Sequence, residues 1–385
     1  MANTLNLGNG NWATKEDSLL AYNSENGNFK PLPFDFTRAS SATVVNKAGL
    51  IETVGGGEPR IDFSNDAKGA LLLEPQRMNL FTNSENFSQW YIDGNQSSPT
   101  IISELNPDGS SQVYQINLNS GGNIYRTISI SSSIDYTFSV YIKGTGNGRL
   151  ILSNPQSTPE NYVDFTATSE WQRIELTGSS SSTSVRVAIG SWSNSSASGT
   201  IQIFGAQLEQ GSYATSYIPT QGSAVTRVAD ACVGAGNEQV INSTEGVLYA
   251  EISAFIKKQN SFTAISLSDN SYDNNIRMGF NTSTNTVYAN FRKGSISLYG
   301  LTYAISNITE LTKIAVKFNS IGFYLYINGV LAGSNLTSTT FPINTLTSLK
   351  FTRGDAAHSF EGKTKALAVY KTALTDAELI ALTSL

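Results

Sequence analysis

Apolar and polar residues alternate along most of this chain in short runs, and glycine, serine and asparagine separate one run from the next. In Tyr136 to Lys143, YTFSVYIK, the side chains of Phe138, Val140 and Ile142 share one side of an extended segment, because successive strand residues point to opposite faces. Trp171 to Leu176, Ser184 to Ile189 and Thr200 to Leu208 repeat the pattern. In the last of them Phe204, Ala206 and Leu208 are expected on one face and Gly205, Gln207 and Glu209 on the other, before Gln210-Gly211 ends the strand. A second set starts with Gly246 to Ile256 and runs through 262–267, 277–280 and 286–291 to a meander over 313–331. Asn328-Gly329, between two apolar runs there, predicts a tight hairpin with both residues at positive φ. Near the C-terminus Thr375 and Glu378 have the spacing of a capping box and predict a short helix. The fold class expected is all-β: an N-terminal extended arm, two antiparallel β-sandwiches and one short C-terminal helix.

The expected divisions are an arm over 1–79, a first sandwich over 80–218, a linker over 219–240 and a second sandwich over 241–385. Within the arm, Thr43-Val44-Val45 and Leu50-Ile51 flank Asn46-Lys47-Ala48-Gly49 and predict a hairpin that uses Gly49 at positive φ. Gly55-Gly56-Gly57 lacks the strand–loop–helix setting and the following lysine of a phosphate loop, and reads as a flexible linker. Pro219 and Thr220 to Ala224 read as an extended connector. Thr226-Arg227 repeats Thr37-Arg38, which suggests that the connector is tied back to the N-terminal segment.

Composition narrows the function classes. Only 14% of residues are charged and the net charge is −5, where about a quarter charged is usual for a soluble domain. No block of lysine and arginine occurs, which argues against nucleic acid as a partner. No apolar run reaches the roughly 20 residues of a membrane-spanning helix, so no membrane insertion is expected. The N-terminus lacks a basic segment followed by an apolar run, and synthesis in a cytoplasm without a signal peptide is the expectation. Cys232 is the only cysteine, so no intrachain disulfide can form.

Several blocks, in this order, carry a resemblance: FTRASSATVVNKAGLIE (36–52), EPRIDF (58–63), GALLLEPQRMNLF (69–81), NSENFSQW (83–90), and YATSYIPT with VTRVAD (213–230). Together they resemble bacteriophage structural proteins of the fibre, spike and head-decoration type. The first sandwich looks like jelly-roll carbohydrate-binding modules, which likewise end in a strand with a Leu-Glu pair, here Leu208-Glu209. The block IAVKFNSIGFYLYINGVLAG and the ending FEGKTKALAVYKTALTDAELIALTSL resemble the laminin-G/concanavalin-like sandwich. The resemblance implies a place in the virion, other virion proteins of capsid or tail as partners, a homotrimer, and host-surface polysaccharide as a ligand. Residues 1 to about 35 are the expected attachment to the particle.

Sugar recognition needs flat aromatic faces with amide and hydroxyl partners beside them. Trp90, Tyr91, Trp171 and Trp192 are the candidates in the first sandwich, with Asn86, Gln89 and Asn194 near them; core packing is the competing reading for Trp90 and Trp171. Trp192 sits in a turn-like loop with less reason to be buried. In the second sandwich Asn290, Arg292, Tyr299 and Tyr303 mix aromatic faces with donors. Glu209, Glu85 and Asp93 are the only candidate ligands for a structural calcium, without any spacing motif, and no cofactor is expected. Catalysis is not expected either. Glycoside hydrolysis usually needs two opposed carboxyls, Glu251 stands alone on its strand, and Asp269 and Asp273 fall in a turn. His358 is the only histidine and reads as a loop residue, and Cys232 has no activating neighbour.

Overall fold

The computed structural model describes residues 2–29, 33–154, 161–191, 196–257, 261–337, 339–355 and 357–385. Among these residues the fold is all-β but for one 3-10 turn and the helix Asp376–Thr383. Thr375 caps that helix and Glu378 completes the capping box. The two predicted hairpins form as well. Ala42–Val45 pairs with Ile51–Val54 with Gly49 at φ 81°, and Asn328 and Gly329 take φ of 47° and 81°.

The first sandwich has two antiparallel five-stranded sheets. One runs in the order Tyr91–Asp93, Asn123–Ser129, Ser184–Gly190, Asn147–Ser153, Asn161–Thr166. The other runs Thr100–Ile102, Val113–Leu118, Gly199–Gln210, Asp135–Gly144, Gln172–Ser179. Ile124, Leu150, Val187 and Ile189 from the first sheet meet Phe138, Val140, Ile203 and Leu208 from the second in one apolar core. The alternation of strand side chains requires such an arrangement once each sheet must bury one face. Phe204 departs from the expectation. A bulge between Ser139 and Tyr141, with Gly205 at φ 65°, turns Phe204 out of the core and against Tyr141 and Tyr217.

The second sandwich packs a sheet of Ile296–Ala304, Thr286–Lys293, Asn275–Asn281, Ile265–Ser268 and Ser348–Lys350 against an eight-stranded sheet. Two features of that larger sheet change the domain divisions. Leu5–Gly8 and Ala70–Leu73 both pair with Gly362–Tyr370 at the far end of the chain. Leu5, Leu7, Leu19, Phe34, Phe36, Leu71 and Leu73 are buried in the same core as Ile276, Phe291 and Val316. The segment expected as a separate N-terminal extended arm therefore contributes to the second sandwich, because its alternating leucines have an apolar face to bury.

The first sandwich is accordingly an insertion. The chain leaves through Arg77–Asn79 and returns through Val225–Arg227, and these two strands pair antiparallel. The connector predicted over 219–240 thus contains Val225–Arg227 and also Ala231–Val233, which pairs with Phe34–Thr37. Gly55-Gly56-Gly57 is not a loose linker either. Gly57 donates to the Arg38 carbonyl at 2.9 Å, and a Cβ at Gly57 would fall 2.1 Å from an Asp17 carboxylate oxygen.

At this neck three arginines and two carboxylates are buried together. Arg38, Arg60, Arg227, Glu74 and Asp230 are all at most 8% exposed. Arg60 reaches Glu74 at 2.7 Å and also Asp230, Arg38 reaches Asp230 at 3.0 Å, and Arg227 reaches Glu74 at 2.5 Å. Ser216 donates both its amide and its hydroxyl to Glu74, each at 2.7 Å. Burial by itself raises the Glu74 pKa, but Arg227, Arg60 and the Ser216 bonds overcome it and hold the carboxyl at about 2. Removing one member strands the others without solvent, which costs about 3–5 kcal/mol.

Glu74→Gln and Asp230→Asn should each lower the unfolding free energy by about 3–5 kcal/mol in chemical denaturation. A loss under about 1 kcal/mol would show the cluster to be dispensable. Because Glu74 titrates lower folded than unfolded, its contribution is complete above the ordinary carboxyl value of 4.5 and is lost as the pH falls toward about 2. Glu74→Gln should flatten that acid limb. Removal of residues 2–23 takes away the strand Leu5–Gly8 and Leu19, so it should destabilise the second sandwich rather than release a tail, as a lowered melting temperature would show.

Candidate functional site

The outer face of the Tyr91–Asp93 sheet carries a row of side chains set by strand register. Tyr91 stands opposite Tyr125, Tyr125 opposite Ala188, Ala188 opposite Ile151, and Ile151 opposite Tyr162. Residues in register share a face, and this one is opposite the core face of Ile124, Leu150 and Ile189. Tyr91 and Tyr162 are 62% and 50% exposed at the two ends, while Ala188 and Ile151 are buried in the middle. Four strand spacings separate the ends, about 19 Å.

Each end is a tyrosine station with an arginine on the ring and a carboxylate on the arginine. At one end the rings of Tyr91 and Tyr125 lie 5.5 Å apart, with the Arg186 guanidinium 4.1 Å from the Tyr125 centroid. Asp93 pairs with Arg186 at 3.2 Å. At the other the Arg149 guanidinium lies 3.7 Å from the Tyr162 centroid and forms two bonds to Asp164, at 2.7 and 3.1 Å. The Asp164 carboxyl is held below its ordinary value chiefly by those bonds. A bidentate pair fixes the plane of the guanidinium, and the guanidinium in turn fixes the ring. Between the stations Asn123 is buried, and its Oδ1 has no partner among the described residues.

Among the described residues, Tyr91 is the one of the expected sugar-contact residues that belongs to this face. Trp90 is 5% exposed and stacks on Phe81 at 5.3 Å inside the first core. It is one residue from Tyr91, and strand alternation sends it the other way. Trp171 is half-buried beside the other sheet, donating to the Leu105 carbonyl at 3.2 Å. Trp192 and Asn194 lie outside the described residues. Asn86 caps the 3-10 turn and accepts from Tyr114 at 3.0 Å, and the Gln89 carbonyl accepts from Arg126. Tyr299 is buried in the second core and donates to the Thr337 carbonyl at 2.8 Å. Arg292 lies over the ring of Tyr272, in the second sandwich, and Tyr303 is 38% exposed near the edge of that sheet.

Tyr125, Tyr162, Arg149 and Arg186 were missed. The parity of Arg186 against Val185 and Val187 in the predicted strand 184–189 was signal enough for one of them. The strands holding the other three were not recognised, because each mixes polar and apolar residues without strict alternation.

The candidate calcium ligands are not gathered. Glu209 is buried and accepts from the Thr215 amide and hydroxyl and from Gln207, Glu85 accepts from Tyr217, and Asp93 holds Arg186. Among the described residues no three His, Cys, Asp or Glu side chains are grouped to hold a metal ion. Cys232 is buried, which pushes its thiol pKa well up. Asp269 accepts from Ser271 and Asn274 within its own turn.

Residues 252–380 match the Concanavalin A-like lectin/glucanases superfamily. No curated protein sequence matches the chain. Among solved structures the chain is similar to the CBM40 of the Ruminococcus gnavus IT-sialidase bound to α2,3-sialyllactose, at 18% identity and a TM-score of 0.33, over 40% of this chain and 94% of that one. Domain 4 of AbnA, an arabinanase from Geobacillus stearothermophilus in complex with arabinotriose, is 16% identical with a TM-score of 0.31, over 45% of this chain and 82% of that one. TmCBM61 in complex with β-1,4-galactotriose is 15% identical with a TM-score of 0.27, over 34% and 97%.

The two readings of the tryptophans separate by stability. Trp90→Ala should cost about 3–5 kcal/mol in unfolding free energy, whereas Tyr91→Ala, largely solvated, should change it by less than about 0.5 kcal/mol. Equal losses at the two positions would refute the assignment of core and surface.

Proposed function

We propose that this chain is a non-enzymatic structural protein of a bacteriophage virion, a homotrimeric fibre or spike that binds host-surface glycan through the outer face of its first sandwich. The observation that carries the glycan reading is the pair of arginine-backed tyrosine stations on one sheet face. A pyranose presents apolar C–H faces and equatorial hydroxyls, and an exposed tyrosine ring beside donors and acceptors meets both. Each arginine is paired with a carboxylate, so the stations suit a neutral polymer that bridges them. The ordered sequence blocks that resemble phage fibre, spike and head-decoration proteins supply the virion part of the reading.

Hydrolysis is a poor fit to this face. Asp93 and Asp164 stand in one register row, through Asn123, Gly190 and Arg149, about 19 Å apart by strand spacing. Two carboxyls acting on one glycosidic bond are within about 10 Å.

An array of neutral hexose and pentose oligosaccharides tests the reading. Binding should rise with chain length, and Tyr162→Ala and Tyr91→Ala should each weaken it about tenfold or more with melting temperature unchanged. Retention of full affinity by both variants, or silence of the whole array, would leave only the scaffold reading, in which the sandwiches bind other virion proteins. Light scattering on the purified chain should give three times the chain mass; a monomer would remove the trimer.

A further inference from the structure

The second sandwich carries a different constellation on the outer face of its smaller sheet. Tyr272, in the turn before Asn275–Asn281, has three guanidinium groups around its ring. Those of Arg292 and Arg353 lie 4.0 Å from the ring centroid and that of Arg277 lies 5.1 Å away. Arg353 is neutralised by Asp355 through bonds of 3.0 and 2.6 Å. Among the described residues neither Arg277 nor Arg292 has a carboxylate within 4.0 Å. The nearby acids Asp269 and Asp273 are held in the turn by Ser271, Asn274 and Ser295. Like charges gathered this closely repel one another, and two of them have no counter-charge within 4.0 Å among the described residues.

The surroundings report the same field. Burial by itself would raise the Tyr272 hydroxyl pKa, yet Arg277, Arg292 and Arg353 bring it below the ordinary value. His358 is lowered by burial first and then by Arg353. Lys350 shares the same outer face by register, in the row of Ser266 and Arg277, and its own carboxylate neighbours do not offset its burial.

A cavity of about 430 Å³ opens beside the cluster, lined by Arg277, Arg353, Tyr272, Tyr288, Phe262 and His358. That volume lies within the roughly 300–1,000 Å³ of small-ligand sites. Phe262 stands edge-on to Tyr288 at 5.2 Å and to His358 at 6.3 Å, which makes one aromatic wall. Asn290 also lines the cavity, with its amide nitrogen committed to Ser297 and to the Tyr299 carbonyl. The cavity thus combines cationic donors with an aromatic wall.

We propose that this cavity is a second binding site, separate from the first-sandwich face, for a carbohydrate that bears a carboxylate or sulfate group. Arg277 and Arg353 meet the anionic group, Arg292 over the Tyr272 ring adds to the field, and the aromatic wall takes the face of the ring. A carboxylate or sulfate matches the planar fork of a guanidinium, which a neutral hydroxyl does not.

Calorimetry on the full chain with glucuronic acid, glucose 6-sulfate, glucose and inorganic sulfate tests the assignment. The two charged sugars should bind about ten- to a hundredfold more tightly than glucose, with affinity falling as salt rises. Arg277→Gln and Arg353→Gln should each erase most of that preference, Arg277→Lys should keep part of it, and Tyr162→Ala should leave it intact. The last variant separates this site from the glycan face, since each can fail alone. Equal binding of glucose and its charged counterparts, or none, overturns the proposal with the wild-type chain and no variant. Full preference in Arg277→Gln overturns the placement. Inorganic sulfate as tight as glucose 6-sulfate overturns the carbohydrate half and leaves an anion site only.

Discussion

Two carboxylates without water decide how this chain closes. Glu74 and Asp230 are buried at the neck between the sandwiches, and an ionised carboxyl in that setting must find cations or remain unfavourable by several kcal/mol. The cations come from three distant stretches, Arg38 near the start, Arg60 just before the insertion and Arg227 on the returning strand. Asp230 also accepts from the Glu74 amide at 2.8 Å, so the two acids are tied through backbone as well as through arginine. Such a cluster adds less net stability than a hydrophobic one of equal volume. Arg60 Nε and Arg227 Nε still lack partners among the described residues, so the satisfaction is incomplete and the cluster is sensitive to loss of any member.

The same closure explains why the chain's beginning belongs to its end. With the first sandwich inserted at the neck, Leu5–Gly8 and Ala70–Leu73 lie along one edge of Gly362–Tyr370. They cover an edge that would otherwise offer unpaired backbone groups to other chains. Gly8, at φ 88°, allows the approach, because a Cβ there would stand 2.2 Å from the Lys365 carbonyl oxygen. Pairings between residues this far apart in sequence form slowly, since a long loop must close before any contact rewards it.

Much of this was legible in the letters, and the part that was not has a physical reason. Strand alternation showed the two sandwiches, and turn chemistry showed Asn46 to Gly49, Asn328-Gly329 and the Thr375 cap, because each depends on a few neighbouring residues. The repeat of Thr37-Arg38 in Thr226-Arg227 correctly suggested that the connector is tied back, since both arginines enter one cluster. Pairing partners were not legible. Leu5 and Leu7 alternate like any edge strand, and nothing near them states that the partner is Val369 and Leu367. All five members of the cluster, Arg38, Arg60, Glu74, Arg227 and Asp230, come from the ordered blocks at 36–52, 58–63, 69–81 and 225–230, so segments distinctive in sequence carry the buried charges. The two candidate faces fared worst for the same reason. Tyr91, Tyr125 and Tyr162 come together only through the order of strands, and tryptophan, the strongest aromatic signal in sequence, serves at Trp90 as core.

The two outer faces differ in the quantity that sets what each can hold, which is uncompensated charge. On the tyrosine face of the first sandwich Arg149 and Arg186 each have their own carboxylate, so the aromatic surface dominates there. On the second, three guanidinium groups share one close carboxylate, in a chain whose total charge is −5. A positive site on a negative protein feels a short-range field only, because beyond about 8–10 Å salt screens it; it selects among ligands already at the surface rather than drawing them from solution. A neutral polymer held across the tyrosine stations would supply that proximity. Were one glycan to reach both proposed sites, weak contacts at the two faces would add as one intramolecular event, and a charged glycan would be told from an uncharged one of the same backbone.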